Sequence, residues 1–248
     1  MPNPPMLKLG STGRAVSFLQ ARLGLSPTDT FDATTQAELQ SRQRALGLAA
    51  DGIYGPATNA AMTARGANAV ANAAQSAGID ARTLQAVVNV ESNGSGFFTD
   101  GRPLILLERH YVWARASVAA RTTLGAALCS PTPGGYVGGI GEWDRFEQVA
   151  AVCGVEIAAQ SASWGLGQVM GANYALAGYS GATALMAASA RDENWQLSIM
   201  AVFIGNQPGM RNALARQDWQ SFARLYNGPN YAQNSYDTKL AAAYDALA

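Results

Sequence analysis

Between residues 29 and 62 the chain states one short pattern twice. Asp29-Thr-Phe-Asp-Ala-Thr-Thr35-Gln-Ala-Glu-Leu39 is echoed by Asp51-Gly-Ile-Tyr-Gly-Pro-Ala-Thr58-Asn-Ala-Ala-Met62. Each copy reads as a tight turn, a Thr near a helix start and a short apolar helix. In the second copy Gly52 supplies a positive φ and Pro56 presets φ for the turn. Upstream, Leu7, Val16, Leu19, Leu23 and Leu25 form one apolar set around Gly10 to Gly13, and Gly24 is a helix stop. The first 65 residues are therefore expected to be short helices separated by turns.

A connector is expected around Arg65-Gly66-Ala67-Asn68, dividing the chain into domains at 1–66 and 67–248. The second part reads as a larger, mostly helical domain. One helix ends at Gly78, and Asp80 is a good N-cap for the next. Gly96-Phe-Phe-Thr99 and Pro103-Leu-Ile-Leu-Leu107 flank Asp100-Gly101 and predict a hairpin, with Asp100 as its turn residue. Gly and Pro crowd residues 130–141, where a loop is expected. Helices are then predicted near 144–152, 181–190, 192–206, 208–215, 218–226 and 235–247. The Ala-rich stretches Ala182–Ala190 and Ala241–Ala246 suit close helix packing and lack the cationic face of a membrane-active helix.

Composition narrows the function. Seventeen basic residues balance seventeen acidic ones in 248, which argues against a nucleic-acid footprint. Residues 1–66 carry six Lys/Arg against four Asp/Glu, a mild excess that suits a polyanionic partner. His110 is the single histidine, and Cys129 and Cys153 are the two cysteines. So few ligands make a zinc amidase or zinc protease improbable, and no metal or organic cofactor is expected. Two cysteines build no disulfide framework, and a bridge between them stays open. No apolar run reaches the ~18 residues of a membrane span. The first eight residues lack a basic region followed by an apolar core, so synthesis in a cytoplasm without a secretory signal is expected.

The stretch from Asp80 to Gly94 carries the sharpest chemical signal. Leu84, Val87, Val88 and Glu91 follow the i, i+3, i+4, i+7 spacing and share one helical face. Desolvation and the negative end of the helix dipole both disfavour a charged Glu91. A carboxyl that stays protonated near neutral pH is what general-acid cleavage of a glycosidic bond requires. The plain alternative is a Glu that caps the helix end or bonds the Gly-rich loop after it. Downstream lie Ser161-Ala-Ser163-Trp164-Gly165-Leu166-Gly167-Gln168-Val169-Met170-Gly171 and Tyr226-Asn227-Gly228-Pro229-Asn230-Tyr231.

Two resemblances follow. Leu9-Gly10, Gly13, Val16, Leu19-Gln20, Leu23, Gln43, Gly47-Leu48 and Asp51-Gly-Ile-Tyr-Gly-Pro-Ala-Thr58 resemble the three-helix peptidoglycan-binding domain of cell-wall hydrolases. The first half-repeat departs from that pattern, with Asp32 where a turn glycine is usual. A helix-end Glu-Ser, then Gly-Leu-x-Gln-Val-Met, then Tyr-Asn-Gly resembles the motif series of lysozyme-like muramidases, including goose-type lysozymes and lytic transglycosylases. Closer still, residues 70–247 resemble the N-acetylmuramidase domain of bacteriophage endolysins. That match runs through Glu91 to Phe97, Gly101 to His110, Ala162 to Gln168, Trp219, Phe222-Ala223 and Tyr226 to Pro229.

The resemblances imply a mainly α protein: a small three-helix wall-binding domain plus a larger lysozyme-like α domain with a small β-hairpin. They imply an endolysin that hydrolyses the β-1,4 bond between N-acetylmuramic acid and N-acetylglucosamine and so lyses bacteria. Glu91 is the expected general acid. Glu108, on the return strand of the hairpin, is either a second catalytic carboxylate or one side of a structural ion pair with Arg109 or Arg102. Gly165 and Gly167 would admit a sugar close to the backbone, and Gln168 would offer it a donor and an acceptor. Tyr226 would orient Glu91 or contact sugar, with Asn227 anchoring the turn; Trp164 would stack on sugar or lie in the core. Asp51, Tyr54 and Thr58 are the expected wall-binding residues, and His110 a partly buried structural one. The expected partner is peptidoglycan, not nucleic acid or membrane, and the expected state a monomer. Such an enzyme is made in the host bacterial cytoplasm and reaches the wall, in the periplasm, after release by a separate membrane-permeabilising protein. The rivals are a lytic transglycosylase, a non-catalytic wall-binding or virion structural protein, and a wall peptidase. The chain order of His110 before both cysteines argues against a papain-like form of the last.

Overall fold

The structure, a computed structural model, describes residues 6–91, 95–98, 100–229 and 231–247. Ser92, Asn93 and Gly94 of the Glu-Ser motif, Thr99 of the expected hairpin and Asn230 lie outside the described residues. The N-terminal module is three helices, α1 (Arg14–Arg22), α2 (Ala33–Ala45) and α3 (Pro56–Thr63). Leu7, Val16, Leu19, Phe31, Leu39, Tyr54 and Met62 form its core.

The repeat is realised as two copies of one hydrogen-bond motif. Gln20 Nε2 contacts Thr28 Oγ1, the Thr30 carbonyl and Thr35 Oγ1, and its Oε1 accepts from the Thr28 N–H. Gln43 Nε2 contacts Asp51 Oδ1, the Ile53 carbonyl and Thr58 Oγ1, and its Oε1 accepts from the Gly52 N–H. Gln20 and Gln43 stand 23 residues apart, as do Thr35 and Thr58. This register pairs Asp51 with Thr28, one place before the Asp29 that the sequence pattern sets against it. Asp29 instead adopts φ 57 and holds the Ser17 hydroxyl. Asp32 needs no glycine there: its backbone is extended, and its carboxylate caps α2 by accepting from the Thr35 N–H and hydroxyl, both at 2.8 Å.

The larger part continues through α4 (Ala69–Ala77), α5 (Ala81–Glu91), β1 (Ile105–Leu107), α6 (Arg109–Arg115), α7 (Val118–Leu128), α8 (Gly141–Cys153) and α9 (Val155–Gln160). Then come β2 (Ala162–Trp164), β3 (Val169–Met170), α10 (Ala182–Ser189), α11 (Glu193–Gly205), α12 (Pro208–Ala215), α13 (Trp219–Asn227) and α14 (Tyr236–Asp245). Among the described residues the strands form one antiparallel sheet, ordered β1-β2-β3, with Ile105 opposite Trp164 and Leu107 opposite Ala162. The architecture is the expected mainly α, lysozyme-like one. Its hairpin, however, is β2-β3. Around Asp100-Gly101 the pairing reduces to a bridge between Phe97 and Pro103, because β1 spends its ladder on β2. Asp100 is the turn residue there, accepting from the Arg102 N–H and Nε.

Helix α11 runs through the core. Leu197, Ile199, Met200, Ala201 and Ile204 are fully or almost fully buried, and α4 packs along it. Gly205 makes that approach possible, since a Cβ there would stand 2.8 Å from the Ala77 carbonyl. On the other side Trp143, Phe146 and Trp164 meet edge to face beneath the sheet. The module joins this core directly: Phe18 of α1 lies edge-on to Trp143 at 4.8 Å, and Arg14 pairs with Glu147 at 2.6 Å. Cys129 and Cys153 are both free thiols.

Replacing Gln43 by Ala strips partners from the buried Gly52 N–H and from Thr58. It should destabilise the protein by about 2 kcal/mol in guanidinium unfolding, and Gln20→Ala by a similar amount. Exposed Ser41→Ala should stay within about 0.5 kcal/mol of the parent. A Gln43→Ala effect as small as that of Ser41→Ala would mean the repeat motif contributes nothing.

Candidate active site

Helix α5 starts where Asp80 accepts from the Thr83 N–H and hydroxyl, each at 2.8 Å. From that start, helical spacing turns Leu84, Val87 and Val88 into the core, all fully buried, and ends on Glu91. Helix α14 packs on α5, and the Tyr236 hydroxyl at its first turn donates to Glu91 Oε1. The Asn227 side chain, at the end of α13, also hydrogen-bonds the carboxyl. Burial pushes the Glu91 pKa up to about 7, outweighing the two hydrogen bonds, which act the other way. Burial and the neighbouring Glu91 charge push both the Tyr226 and Tyr236 phenols up, so both stay protonated donors.

Tyr226 lies beside Glu91 without bonding it. Its hydroxyl donates to the Gly167 carbonyl at 2.5 Å, and its ring stacks on Phe222. Tyr226 thereby ties the end of α13, beside Glu91, to the turn between β2 and β3. That turn differs from the sequence expectation at its glycines and at Gln168, and settles the alternatives left for Trp164. The space beside Gly165 and Gly167 is not open to a sugar: a Cβ on Gly165 would meet Gln196 Cδ at 2.6 Å, and one on Gly167 would meet Met200 at 2.9 Å. The polar atoms of Gln168 are engaged within the turn, Oε1 accepting from Ser163 Oγ and Nε2 donating to the Gly165 carbonyl, both at 2.8 Å. Trp164 is buried, its indole N–H bonded to the Ala159 carbonyl, so it is a core residue.

The residue that sequence reading missed here is Gln196. Its Oε1 accepts from the Leu166 N–H at 2.8 Å, and its Nε2 donates to the Ser189 and Gly96 carbonyls. One turn earlier Glu193 accepts from the Gly96 N–H at 2.9 Å. Glu193 and Gln196, at i and i+3 on the buried side of a largely apolar helix, were the available signal. Tyr236 was missed for another reason: it lies 145 residues from Glu91, and its helix shows no distinguishing pattern.

Glu108 belongs to a different cluster. It follows β1 at the start of α6, its N–H bonded to the Ser161 carbonyl. Its carboxylate accepts from the Tyr136 hydroxyl at 2.8 Å and lies 3.1 Å from His110 Nδ1. The ion pairs expected with Arg109 or Arg102 do not form. Arg109 binds the carbonyls of Ala126, Thr132 and Pro133, and Arg102 pairs with Asp100. Among the described residues, the side chains holding Glu108 are not those holding Glu91. Gly165 bonds Leu104 at one end of the β1-β2 ladder and Ser161 bonds Glu108 at the other, four residues or about 13 Å along a strand.

In the N-terminal module Tyr54 and Thr58 are buried, contrary to a wall-contacting role. Tyr54 donates to Asn59 Oδ1 at 2.5 Å and accepts from Arg22; Thr58 completes the Gln43 motif. Asp51 is exposed, but its carboxylate holds the Ile53 N–H and Gln43, which keep its pKa below the usual range. Among the described residues no three His, Cys, Asp or Glu side chains converge as a metal site, and no helix is long and apolar enough to cross a membrane.

Comparison with known proteins places these features in context. Residues 80–248 match the N-acetylmuramidase family model, and residues 12–62 match the model of a peptidoglycan binding domain. Among solved structures the chain is similar to the Burkholderia AP3 phage endolysin, with 34% identity and a TM-score of 0.67. That similarity covers 98% of this chain and 99% of the other. A search of curated proteins finds no match.

A carboxyl whose folded pKa lies above its unfolded value holds a proton that the unfolded chain has already released. For Glu91 the window runs from the ordinary carboxyl value of 4.5 to about 7, and stability falls as pH rises through it. Glu91→Gln has no such loss. Its stability relative to the parent should rise across that window, by up to about 3 kcal/mol at pH 8, in guanidinium unfolding at pH 4 and pH 8. An equal difference at both pH values would mean Glu91 carries no raised pKa.

Proposed function

The chain belongs to the N-acetylmuramidase family, and from that premise we propose that it is an endolysin whose Glu91 protonates the β-1,4 bond between N-acetylmuramic acid and N-acetylglucosamine. Peptidoglycan is the partner, and degrading it is the activity. The observation that carries the assignment is the Glu91 carboxyl, buried at a helix end, standing near pKa 7 and held by Tyr236 and Asn227. A group with that pKa is protonated often enough at neutral pH to donate and basic enough to take the proton back.

The chemistry needs one proton moved twice. Glu91 gives its proton to the glycosidic oxygen as the C1–O bond breaks, and the N-acetylglucosamine side leaves as an alcohol. Water then adds to C1 and returns a proton to the Glu91 carboxylate. Tyr226 and Tyr236 remain neutral donors throughout, Tyr236 holding the carboxyl and Tyr226 holding the Gly167 turn beside it. Glu108 takes no part in this scheme; its carboxylate is engaged by Tyr136 and lies beside His110.

A second reading has its own support. Glu91 shares its cluster with two phenols and an amide and with no second carboxylate among the described residues. That arrangement also suits attack by the sugar's own 6-hydroxyl, which would form a 1,6-anhydro product as in lytic transglycosylases.

In the proposed setting the enzyme is made in the host cytoplasm, reaches the wall in the periplasm after release and lyses the cell. It acts as a monomer of two domains, 1–66 for wall binding and 67–248 for cleavage. Binding the wall raises the local concentration of glycan strands around the catalytic domain.

Digestion of purified peptidoglycan, followed by mass spectrometry, tests the assignment. Fragments ending in reducible N-acetylmuramic acid are expected, and Glu91→Gln should release about a thousandfold less. Fragments lighter by one water and resistant to reduction would replace hydrolysis by the transglycosylase route. Glu108→Gln should stay within about tenfold of the parent; a loss matching that of Glu91→Gln would restore it as a catalytic group. Wild-type kcat should fall as pH rises through about 7.

A further inference from the structure

Arg22 is a buried cation placed where the two modules meet. Its side chain is 8% exposed, and among the described residues no carboxylate forms an ion pair with it. Burying a guanidinium is costly unless its N–H groups are satisfied, and here backbone carbonyls do most of that work. Nε donates to the carbonyls of Ala190 and Arg191 at 2.9 and 2.7 Å, and Nη2 to the Gly101 carbonyl at 2.7 Å. Nη1 meets the Tyr54 hydroxyl, and the guanidinium lies 4.9 Å from the Phe97 ring centre. The Ala190 carbonyl sits at the C-terminal end of α10, where the helix dipole favours a cation.

All three carbonyls belong to the catalytic part of the chain, on two segments that also hold the Glu91 cleft. Ala190 and Arg191 follow Ser189, whose carbonyl binds Gln196. Gly101 closes the segment that begins at Gly96, and Gly96 is held by Gln196 and Glu193. Gly96 is therefore held from α11, and Gly101 from the N-terminal module. The module sits so close that a Cβ on Gly101 would stand 2.6 Å from the Tyr54 hydroxyl. A second contact runs the same way, with Arg65 at 3.9 Å from Glu193.

We infer that Arg22 is a positioning residue for cleavage, and that the N-terminal module forms part of the catalytic scaffold as well as holding the wall. A pure anchor would change how often the enzyme meets an insoluble wall and nothing else. A scaffold contact sets where the end of α10 sits, and with it Gln196, which holds the Leu166 N–H beside the Gly167 carbonyl that Tyr226 binds. It so affects turnover on substrates too short to engage the module. A planar guanidinium bridges three carbonyls at once, whereas a lysine ammonium in the same place lacks that fork.

The inference rests on the reading of Glu91 as the acid, so the test carries Glu91→Gln as its reference. Full-length wild type, Arg22→Lys, Tyr54→Phe and Glu91→Gln are compared on short soluble glycan fragments of peptidoglycan at 20 °C. Near-ultraviolet circular dichroism checks the fold, and sedimentation with whole sacculi, in the Glu91→Gln background, reads wall binding. Arg22→Lys is expected to lower kcat about ten- to a hundredfold with KM and wall binding little changed, as misplacement of a cleft does. Tyr54→Phe, which removes one hydroxyl, should lower kcat a few-fold. Unchanged kcat on soluble fragments in folded Arg22→Lys overturns the inference, as does a loss confined to sacculi with weakened sedimentation. If Arg22→Lys loses its near-ultraviolet spectrum, Tyr54→Phe decides, and unchanged kcat there overturns the inference. Activity retained by Glu91→Gln would instead overturn the functional reading itself.

Discussion

A buried side-chain amide has several hydrogen-bonding sites, and each one left empty inside a protein costs about 1–3 kcal/mol. Gln196 fills its own by reaching three backbone groups that are remote from one another in sequence: Gly96, Leu166 and Ser189. That requirement ties the stretch after the catalytic helix to the β2-β3 turn and to the end of α10. The glycines around it follow from the same demand. Gly96 and Gly165 lack a Cβ because the amide occupies the place where one would stand. These three segments thus hang on one residue of α11, and among the described residues none of the groups bonding the Glu91 carboxyl comes from that helix.

The acidic side chains of the domain show how donor number decides charge. Burial pushes Glu142 up, but N–H groups from Gly138, Leu107 and Val137 together with Arg145 outweigh it and hold the carboxyl below its usual range. Glu156 goes further, to about 2, with the Ala182 and Thr183 N–H groups among its donors. Both are anchors, one for the 136–141 loop and one for the start of α10. Glu91 is partly buried as well, yet among the described residues its carboxyl receives two side-chain hydrogen bonds and pairs with no cation, and burial holds it near 7. The same residue type is a fixed charge in two places and a titrating acid in the third. Its neighbours make the difference.

The two modules share an interface of mixed character. Phe18 against Trp143 is an apolar contact, Arg14 to Glu147 is a half-exposed ion pair that contributes little, and Arg22 is a buried cation bound to carbonyls. Tyr54 links the module's own core to that cation. A residue expected to face the wall is turned inward, and the wall-contacting surface of the module must lie elsewhere on it.

Much of the architecture was legible because it is local. Turn residues, N-caps and 3.6-residue spacing placed the three small helices, α4, α5 and most helices after residue 141, and the same spacing put Glu91 on the buried face of α5. Helices α6, α7 and α9 were not foreseen, since the strand pattern ahead of α6 and the Gly-rich loop after α7 obscured them. The β-pairing was misplaced because strand partners are chosen across the sequence: β1 found β2 more than fifty residues away. The roles of Gln168, Gly165, Tyr54 and Thr58 were misjudged for a related reason. A motif shows which residues gather at a site but not whether each faces the cleft or braces it. The sequence alone determined the mainly α fold, the two-part organisation and the buried acid at the end of α5, all matters of short-range periodicity and capping. Only the tertiary structure brought Tyr236 to that carboxyl and Gln196 to three remote backbone groups. It also brought Arg22 to the carbonyls of Ala190, Arg191 and Gly101, and paired Glu108 with Tyr136 and His110. Most of those contacts join segments far apart in the chain, and only packing brings them together.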